Sequence, residues 1–391
     1  MFLAFPEFGK YSTPLLFLTL QGLIFAFLLL RRYFQEKNVS DLFLFWILIF
    51  ACYGQTCYTV GFMGWYDTYR TTKINYALFS VGIVLAPLIY LYIKSITTSL
   101  FQFKRLDFLH FLPFVLFALY RISIYTYDWL QPGFHDNQNG VLKLSLDEPY
   151  VQPLMTAFGF AQMLLYLAFT LQLFFNYRRK INAFFSNTYK LELNWIRNFL
   201  LVYTFLFSYD VIQTIISEFF VELGYTQQWW LVFFAGIAIT FVGIKGFFTD
   251  TTKLKKLNFS FTPNKVSVPE IQNSPKKEVS KEAIAHISQL MESEKPYLDP
   301  ELNLIDLAKR ANMSRSQLSE TINLGFRKNF NDFVNMYRIE AFKKMIAEEK
   351  HEQLSLLGIA FECGFNSKAT FNRVFKKLTQ TSPSEFLKAA I

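Results

Sequence analysis

Three polar side chains interrupt stretches that are otherwise suited to lipid. Arg121, Asp210 and Gln55 fall inside apolar runs at roughly 108–127, 197–219 and 42–63. An ionisable group near a bilayer centre costs about 2.5–3.5 kcal/mol on insertion scales, so such a group usually serves an ion pair, a proton relay or a ligand. Arg121 and Asp210 lie about 13 residues from the cytoplasmic ends of their runs, and Gln55 about 14; at ~1.5 Å per residue they share one depth in the outer half of the bilayer. The pattern predicts an Arg121–Asp210 pair beside Gln55, at the floor of a pocket open to the outside. Two plainer alternatives stand beside it. Arg121 could snorkel to the outer headgroups, and Asp210 could bond only to neighbouring helices. Lys245, near the cytoplasmic end of its run, reads as a flanking lysine rather than a mid-membrane Schiff base.

The elements that must position these groups are the apolar runs themselves. Of the 391 residues, 52% are hydrophobic and only 18% charged, where a soluble domain carries about one quarter charged. Seven runs are long enough to span ~30 Å of hydrocarbon as helix: roughly 13–30, 42–63, 75–95, 108–127, 153–176, 197–219 and 229–248. Helix is the expected form, because lipid cannot satisfy exposed backbone polar groups. Lys and Arg gather after the odd-numbered runs: Arg31, Arg32 and Lys37; Lys94, Lys104 and Arg105; Arg178, Arg179, Lys180 and Lys190; Lys253, Lys255 and Lys256. The alternate loops are poor in them, and 128–152 carries Asp128, Asp136, Asp147 and Glu148. The positive-inside rule then puts the N-terminus outside and the C-terminus in the cytoplasm. The first run follows no basic n-region and precedes no small-residue cleavage site, so it is expected to persist as a helix. Pro87 is expected to kink the third run.

Composition changes after the seventh run. Residues 1–250 hold 17 Lys/Arg and 14 Asp/Glu, a net +3, whereas residues 251–391 hold 22 and 16, a net +6. A basic, water-soluble piece suits an anionic partner, nucleic acid or inner-leaflet lipid. Residues 249–280 mix lysines with Pro263, Pro269 and Pro275 and read as a basic flexible linker. From 281 the pattern becomes short amphipathic helices: roughly 279–295, a pair at 304–311 and 314–323, a long helix near 330–348, and a second pair at 355–363 and 367–378. Gly364 fits the turn of the second pair, since it tolerates positive φ. Two helix–turn–helix pairs bridged by one rigid helix can set two recognition helices one DNA turn apart, ~34 Å, on one face.

Residues 281–389 resemble the AraC/XylS family of transcription regulators. The stretch IAFECGFNSKATFNRVFKKLTQTSP at 359–383 is similar to the second motif of that family, through Ile359, Ala360, Gly364, Phe365, Ser367, Phe371, Phe375, Lys376, Lys377 and Pro383. Leu307, Ala308, Met313, Ser314, Leu318, Ser319, Phe330, Tyr337, Arg338 and Ala341 match the first. Arg327 and Gln380 stand where the family usually has glycine, and Glu320 where many relatives carry a basic or amide residue. The resemblance implies base-edge contacts from Lys368, Thr370, Asn372 and Arg373, and from Arg315, Ser316 and Ser319 in the first unit. The chemistry agrees: Arg pairs with guanine, Asn with adenine, and a threonine methyl meets that of thymine. Lys376 and Lys377 would touch phosphate, which positions without specifying.

The expected fold is all-α: a seven-helix transmembrane sensor domain at 1–248, the linker at 249–280 and a double helix–turn–helix DNA-binding domain at 281–391. His110, His135, His286 and His351 are scattered, Cys52, Cys57 and Cys363 show no zinc or disulfide spacing, and no glycine-rich phosphate loop occurs. No enzyme, metal or cofactor is expected. The function expected is a multi-pass regulator of the bacterial inner membrane that couples an extracytoplasmic or membrane signal to gene expression. The partners expected are double-stranded DNA, membrane lipid, a small-molecule or envelope signal and a second copy of itself. Two alternatives stand beside it: a membrane transporter or enzyme with a regulatory DNA-binding tail, and a constitutive DNA binder merely tethered to the membrane.

Overall fold

The computed structural model describes residues 6–68, 81–98, 101–131, 140–186, 188, 193–249 and 280–390. Apart from one isolated β-bridge, the described residues contain no strand. The chain divides into two compact units: Met1–Phe174 with Asn194–Thr262, and Phe175–Leu193 with Pro263–Ile391. The second unit therefore takes in a segment between two apolar helices, which the sequence boundary at 248 does not anticipate.

In the first unit, α1 is Ser12–Glu36, α2 Val39–Phe62, α3 Leu85–Thr97, α4 Leu112–Leu130, α5 Gln152–Phe184, α6 Asn194–Phe219 and α7 Trp229–Phe247. Helix α5 continues a π-helical stretch, Lys143–Val151, and its last turns belong to the second unit. Six helices among the described residues are long and apolar enough to cross a membrane. The third expected run differs. Its described part is the shorter apolar helix Gly82–Thr97, and its beginning, from 75 to 80, lies outside the described residues. Pro87 sits in the first turn of α3, where its missing N–H leaves no helical hydrogen bond unmade. The 3-10 turn Gly82–Val84 runs into α3 just before it, and the part of the run in which the expected kink would show lies outside the described residues.

Close packing ties α1, α2 and α7 together. Small residues let helix backbones approach where lipid supplies no hydrophobic drive. A Cβ on Gly246 would lie 2.1 Å from Leu44 Cδ2, and one on Gly22 would lie 2.5 Å from Cys52 Sγ. At one end of these helices Arg32 grips Asp41 in a fork, Nη2–Oδ1 2.6 Å and Nε–Oδ2 2.7 Å. The same guanidinium donates to the carbonyls of Gly246 and Phe247. Arg32 thus adds a partner to last-turn carbonyls of α7, where the helical donors run out.

The second unit comprises α8 Lys281–Ser293, α9 Leu304–Arg310, α10 Arg315–Glu320, α11 Phe330–Ala347, α12 Leu356–Glu362, α13 Lys368–Thr379 and α14 Pro383–Ala390. The expected helices appear at these places; α14 is additional. A small polar side chain begins each one: Ser280, Asn303, Ser314, Asn329, Ser355 and Ser367 accept from first-turn N–H groups. Ser382 and Glu385 exchange bonds at the start of α14. Each cap is worth about 1 kcal/mol. Two separate cores form. Leu307, Leu318, Ile322, Phe330 and Phe333 belong to the first, and Ile359, Phe365, Phe371 and Phe375 to the second. Helix α11 serves both, giving Phe330, Phe333 and Val334 to one and Ile339, Phe342 and Ile346 to the other. Of the linker at 249–280, all but the first and last residues lie outside the described residues.

Candidate functional site

The second helix pair is α12 and α13, with Gly364 at φ +90° in the turn. No other residue fits there. A Cβ would meet Tyr297 O at 2.4 Å and Arg338 Nε at 2.9 Å. On α13 the apolar stripe Phe371, Val374 and Phe375 faces the core, which leaves Lys368, Asn372, Arg373, Lys376 and Lys377 exposed. Lys368, Asn372 and Lys376 line one cleft of about 480 Å³, together with Ser355 and Pro383. Lys377 is paired with Asp332 of α11 at 2.7 Å, on the surface. An exposed pair of this kind contributes at most about 1 kcal/mol and can exchange its carboxylate for phosphate.

Thr370 departs from the expectation. It is 2% exposed, and its Oγ1 accepts from the Ser367 hydroxyl at 3.1 Å. The side chain that the resemblance assigns to a base lies beneath the helix, because position 370 directly precedes the core residue Phe371 on the inward stripe. Thr370 is a packing and capping residue in this structure.

In the first pair, α9 and α10, Arg315 and Ser316 are exposed and Ser319 is partly exposed. Ser319 accepts from Asn323 Nδ2 at 3.3 Å. Arg315 is engaged: its guanidinium lies over the ring of Phe184, 5.2 Å from the centroid.

Phe184 opens the contact that sequence reasoning missed. Phe184 ends α5, Phe185 and Ser186 follow it, and all three belong to the second unit, where Phe184 packs against the first core. Phe185 bridges to Asn303. The Ser186 N–H donates to Leu302 O at 3.3 Å, and its hydroxyl to the same oxygen at 2.6 Å. The Ser186 carbonyl accepts from Asn331 Nδ2 at 2.8 Å, Asn335 Nδ2 at 3.5 Å and Arg338 Nη1 at 3.4 Å. Arg338 is 0% exposed. It also donates from Nη2 to Ser186 Oγ (3.1 Å) and Asp299 O (2.8 Å), and from Nε to Tyr297 O (2.7 Å). Its guanidinium lies 5.8 Å from the Phe365 ring centroid. Burial pulls its pKa down to about 10, so at neutral pH it remains a buried cation solvated by carbonyls. The segment at 186 and the second turn thus meet at one guanidinium. No period or motif in the sequence marks Ser186, whose partners lie more than a hundred positions away.

The polar residues of the first unit sort differently from the expectation. Arg121 pairs with Asp147, Nη1–Oδ2 2.6 Å, and not with Asp210. Asp147 comes from the π-helical stretch after the acidic loop and is 0% exposed. The nearby Asp128 accepts from the N–H groups of Leu142 and Lys143 at 2.9 and 3.0 Å and so holds that stretch in place. The acidic residues of 128–152 that are described are consumed internally, which a depth count along separate helices could not foresee. Gln55 and Asp210 both line a chamber of about 720 Å³, with Tyr58, Tyr66, Tyr203 and Tyr225. Among the described residues no group of His, Cys, Asp and Glu could hold a metal.

The sequence pattern of a family described as a helix-turn-helix domain matches residues 307–389. The second unit carries a helix–turn–helix domain of the AraC type. An "uncharacterized HTH-type transcriptional regulator in cgkA 5'region" from Pseudoalteromonas carrageenovora is 28% identical over 128 residues, 32% of this chain and 74% of that protein. No solved structure matches the chain. Arg327 has φ 54° and Gln380 φ 63°, both left-handed, where glycine is the least costly residue. These are the two positions at which the resemblance noted in the sequence leads one to expect glycine.

Proposed function

We propose that the chain is a membrane-anchored, sequence-specific transcription regulator that couples an extracytoplasmic or membrane signal to gene expression. One observation carries the proposal: six membrane-length apolar helices stand in the same chain as a helix–turn–helix domain whose α13 exposes Lys368, Asn372, Arg373, Lys376 and Lys377. With the short α3 as a further crossing, the spans number seven, the N-terminus is outside and the DNA-binding domain is cytoplasmic. Lys368, Asn372 and Arg373 read base edges, helped in the first unit by Ser316, Ser319 and Arg315. Lys376 and Lys377 neutralise phosphates, and the basic linker rests against anionic lipid.

Coupling has a direct physical route besides the linker. Helix α5 has 33 residues, about 50 Å, roughly 20 Å more than the hydrocarbon core. Its excess ends in Phe184–Ser186, inside the core of the second unit. A signal that shifts α5 therefore bears on Arg338 and on the ring beneath Arg315. In the docked state Arg315 is held against Phe184; release frees it for DNA. A signal can bias these states only by binding one better than the other.

The test is binding of the full chain, in nanodiscs, to genomic fragments that include DNA upstream of its own gene, over a series of salt concentrations. Selective binding that loses about 5- to 150-fold with Arg373→Ala, the value of one bidentate base contact, supports the proposal. A salt-dependent association without fragment preference, unchanged by Arg373→Ala, refutes it.

A further inference from the structure

The chamber of the first unit has the size of a ligand site and, among the described residues, a lining with one sign of charge. Small-molecule sites commonly enclose about 300–1,000 Å³, and this one encloses about 720 Å³. Among the described residues its wall is mainly aliphatic and aromatic, with Asp210 the one carboxylate and no Lys, Arg or His. Arg121, the nearest expected counter-charge by depth, is committed to Asp147. Among the described residues Asp210 has neither an ion pair nor a hydrogen bond. Gln55, 4% exposed, adds a second unmet demand: its Nε2 donates to Leu15 O at 3.2 Å, while its Oε1 has no partner. Both unmet groups are acceptors, so the missing partner is a donor, and beside a carboxylate in an apolar wall it is a cation. Tyrosine rings suit a cation as well, because their faces are electronegative. Tyr58 and Tyr225 are fixed for this, stacked at 4.2 Å with each hydroxyl bonded to the other's carbonyl oxygen.

We infer that this chamber binds a small apolar monocation, an amine or ammonium with a hydrocarbon or aromatic body, with Asp210 as its counter-charge. The inference rests on the reading of the first unit as the sensor. It names the chemical class of the signal. An anionic ligand would meet Asp210 with no compensating base among the described residues of the wall. A neutral ligand would leave the carboxylate unpaired in an apolar site.

Cys57 stands in the same wall and is partly exposed, whereas Cys52 and Cys363 are buried. It reports on charge in the chamber. The full chain in nanodiscs of phosphatidylcholine and phosphatidylglycerol is treated with methanethiosulfonates bearing a 2-aminoethyl, a methyl or a 2-sulfonatoethyl group. Modification of the Cys57 peptide is followed by mass spectrometry and normalised to a free thiol. The expected result is a cation-over-anion preference of about tenfold or more, falling below about threefold in Asp210→Asn. In the wild-type chain, 2-phenylethylamine should protect Cys57 from the methyl reagent, while 2-phenylethanol, of the same shape, should not. A ratio near unity overturns the inference, as does equal protection by amine and alcohol, or no reaction at Cys57 with any reagent. The wild-type measurements stand even if Asp210→Asn fails to fold. None of them involves DNA, so their failure leaves the regulator proposal intact, and failure of the DNA assay leaves them intact.

Discussion

Ser186→Ala removes one oxygen from the contact between the end of α5 and the DNA-binding domain. That oxygen donates to Leu302 O at 2.6 Å and accepts from Arg338 Nη2 at 3.1 Å. A hydrogen bond to a charged group is worth about 1.5–3 kcal/mol and a neutral one about 0.5–1.5. Leu302 O keeps the Ser186 N–H at 3.3 Å and stays satisfied. Arg338 keeps its bonds to Tyr297 O, Asp299 O and Ser186 O. The net loss is therefore nearer the sum of the lower values, about 2–3 kcal/mol, which raises the equilibrium for local opening roughly 30- to 150-fold. Hydrogen exchange of the full chain in nanodiscs reads this directly, at the Ser186 amide and in the peptide covering 296–303. Ser293→Ala is the control, since that hydroxyl is exposed and bonds only to Gln289 O within its own helix; it should change exchange by less than about threefold. If Ser186→Ala also changes exchange by less than about threefold, the segment 184–186 does not hold the domain, and the coupling route through α5 fails. If exchange rises as calculated, DNA binding should strengthen as well, because Arg315 is then released from the Phe184 ring.

Other outcomes follow from single features. Gln380→Gly and Arg327→Gly should each stabilise the second unit by up to about 1 kcal/mol in thermal unfolding, by relieving left-handed φ. Gly364→Ala should destabilise it by about 2–3 kcal/mol or more, because a Cβ at φ +90° meets the carbonyl of Tyr297. Thr370→Val should lower thermal stability, through the lost Ser367 bond, and leave the ranking of DNA fragments unchanged; a changed ranking would return Thr370 to the base-reading set. Arg121→Ala and Asp147→Ala should give equal losses of stability that do not add in the double variant, whereas Arg121→Ala and Asp210→Asn should add.

Much of this protein is fixed by local rules that the sequence states openly. Apolar length marks the six helices long enough to cross a membrane, since in lipid the backbone would have no other partner. In the second unit, periodicity and small polar caps place α8 to α13 within a few residues of their expected ends, because each helix start carries its own Ser or Asn. The inward stripe of α13 and the turn at Gly364 are legible for the same reason. Thr370 was misplaced because a motif gives the face of a residue only to within one position of the stripe, and burial of Phe371 carries its neighbour inward. Tertiary structure alone decided the pairings between distant segments. Arg121, Asp147 and Asp210 carry no sequence label saying which carboxylate takes the guanidinium. The π-helical stretch brings Asp147 to it, and Asp210 is left to the chamber. Ser186 likewise has no pattern of its own. It matters because a buried guanidinium must be solvated by oxygen atoms, and the chain supplies two of them from beyond the end of α5.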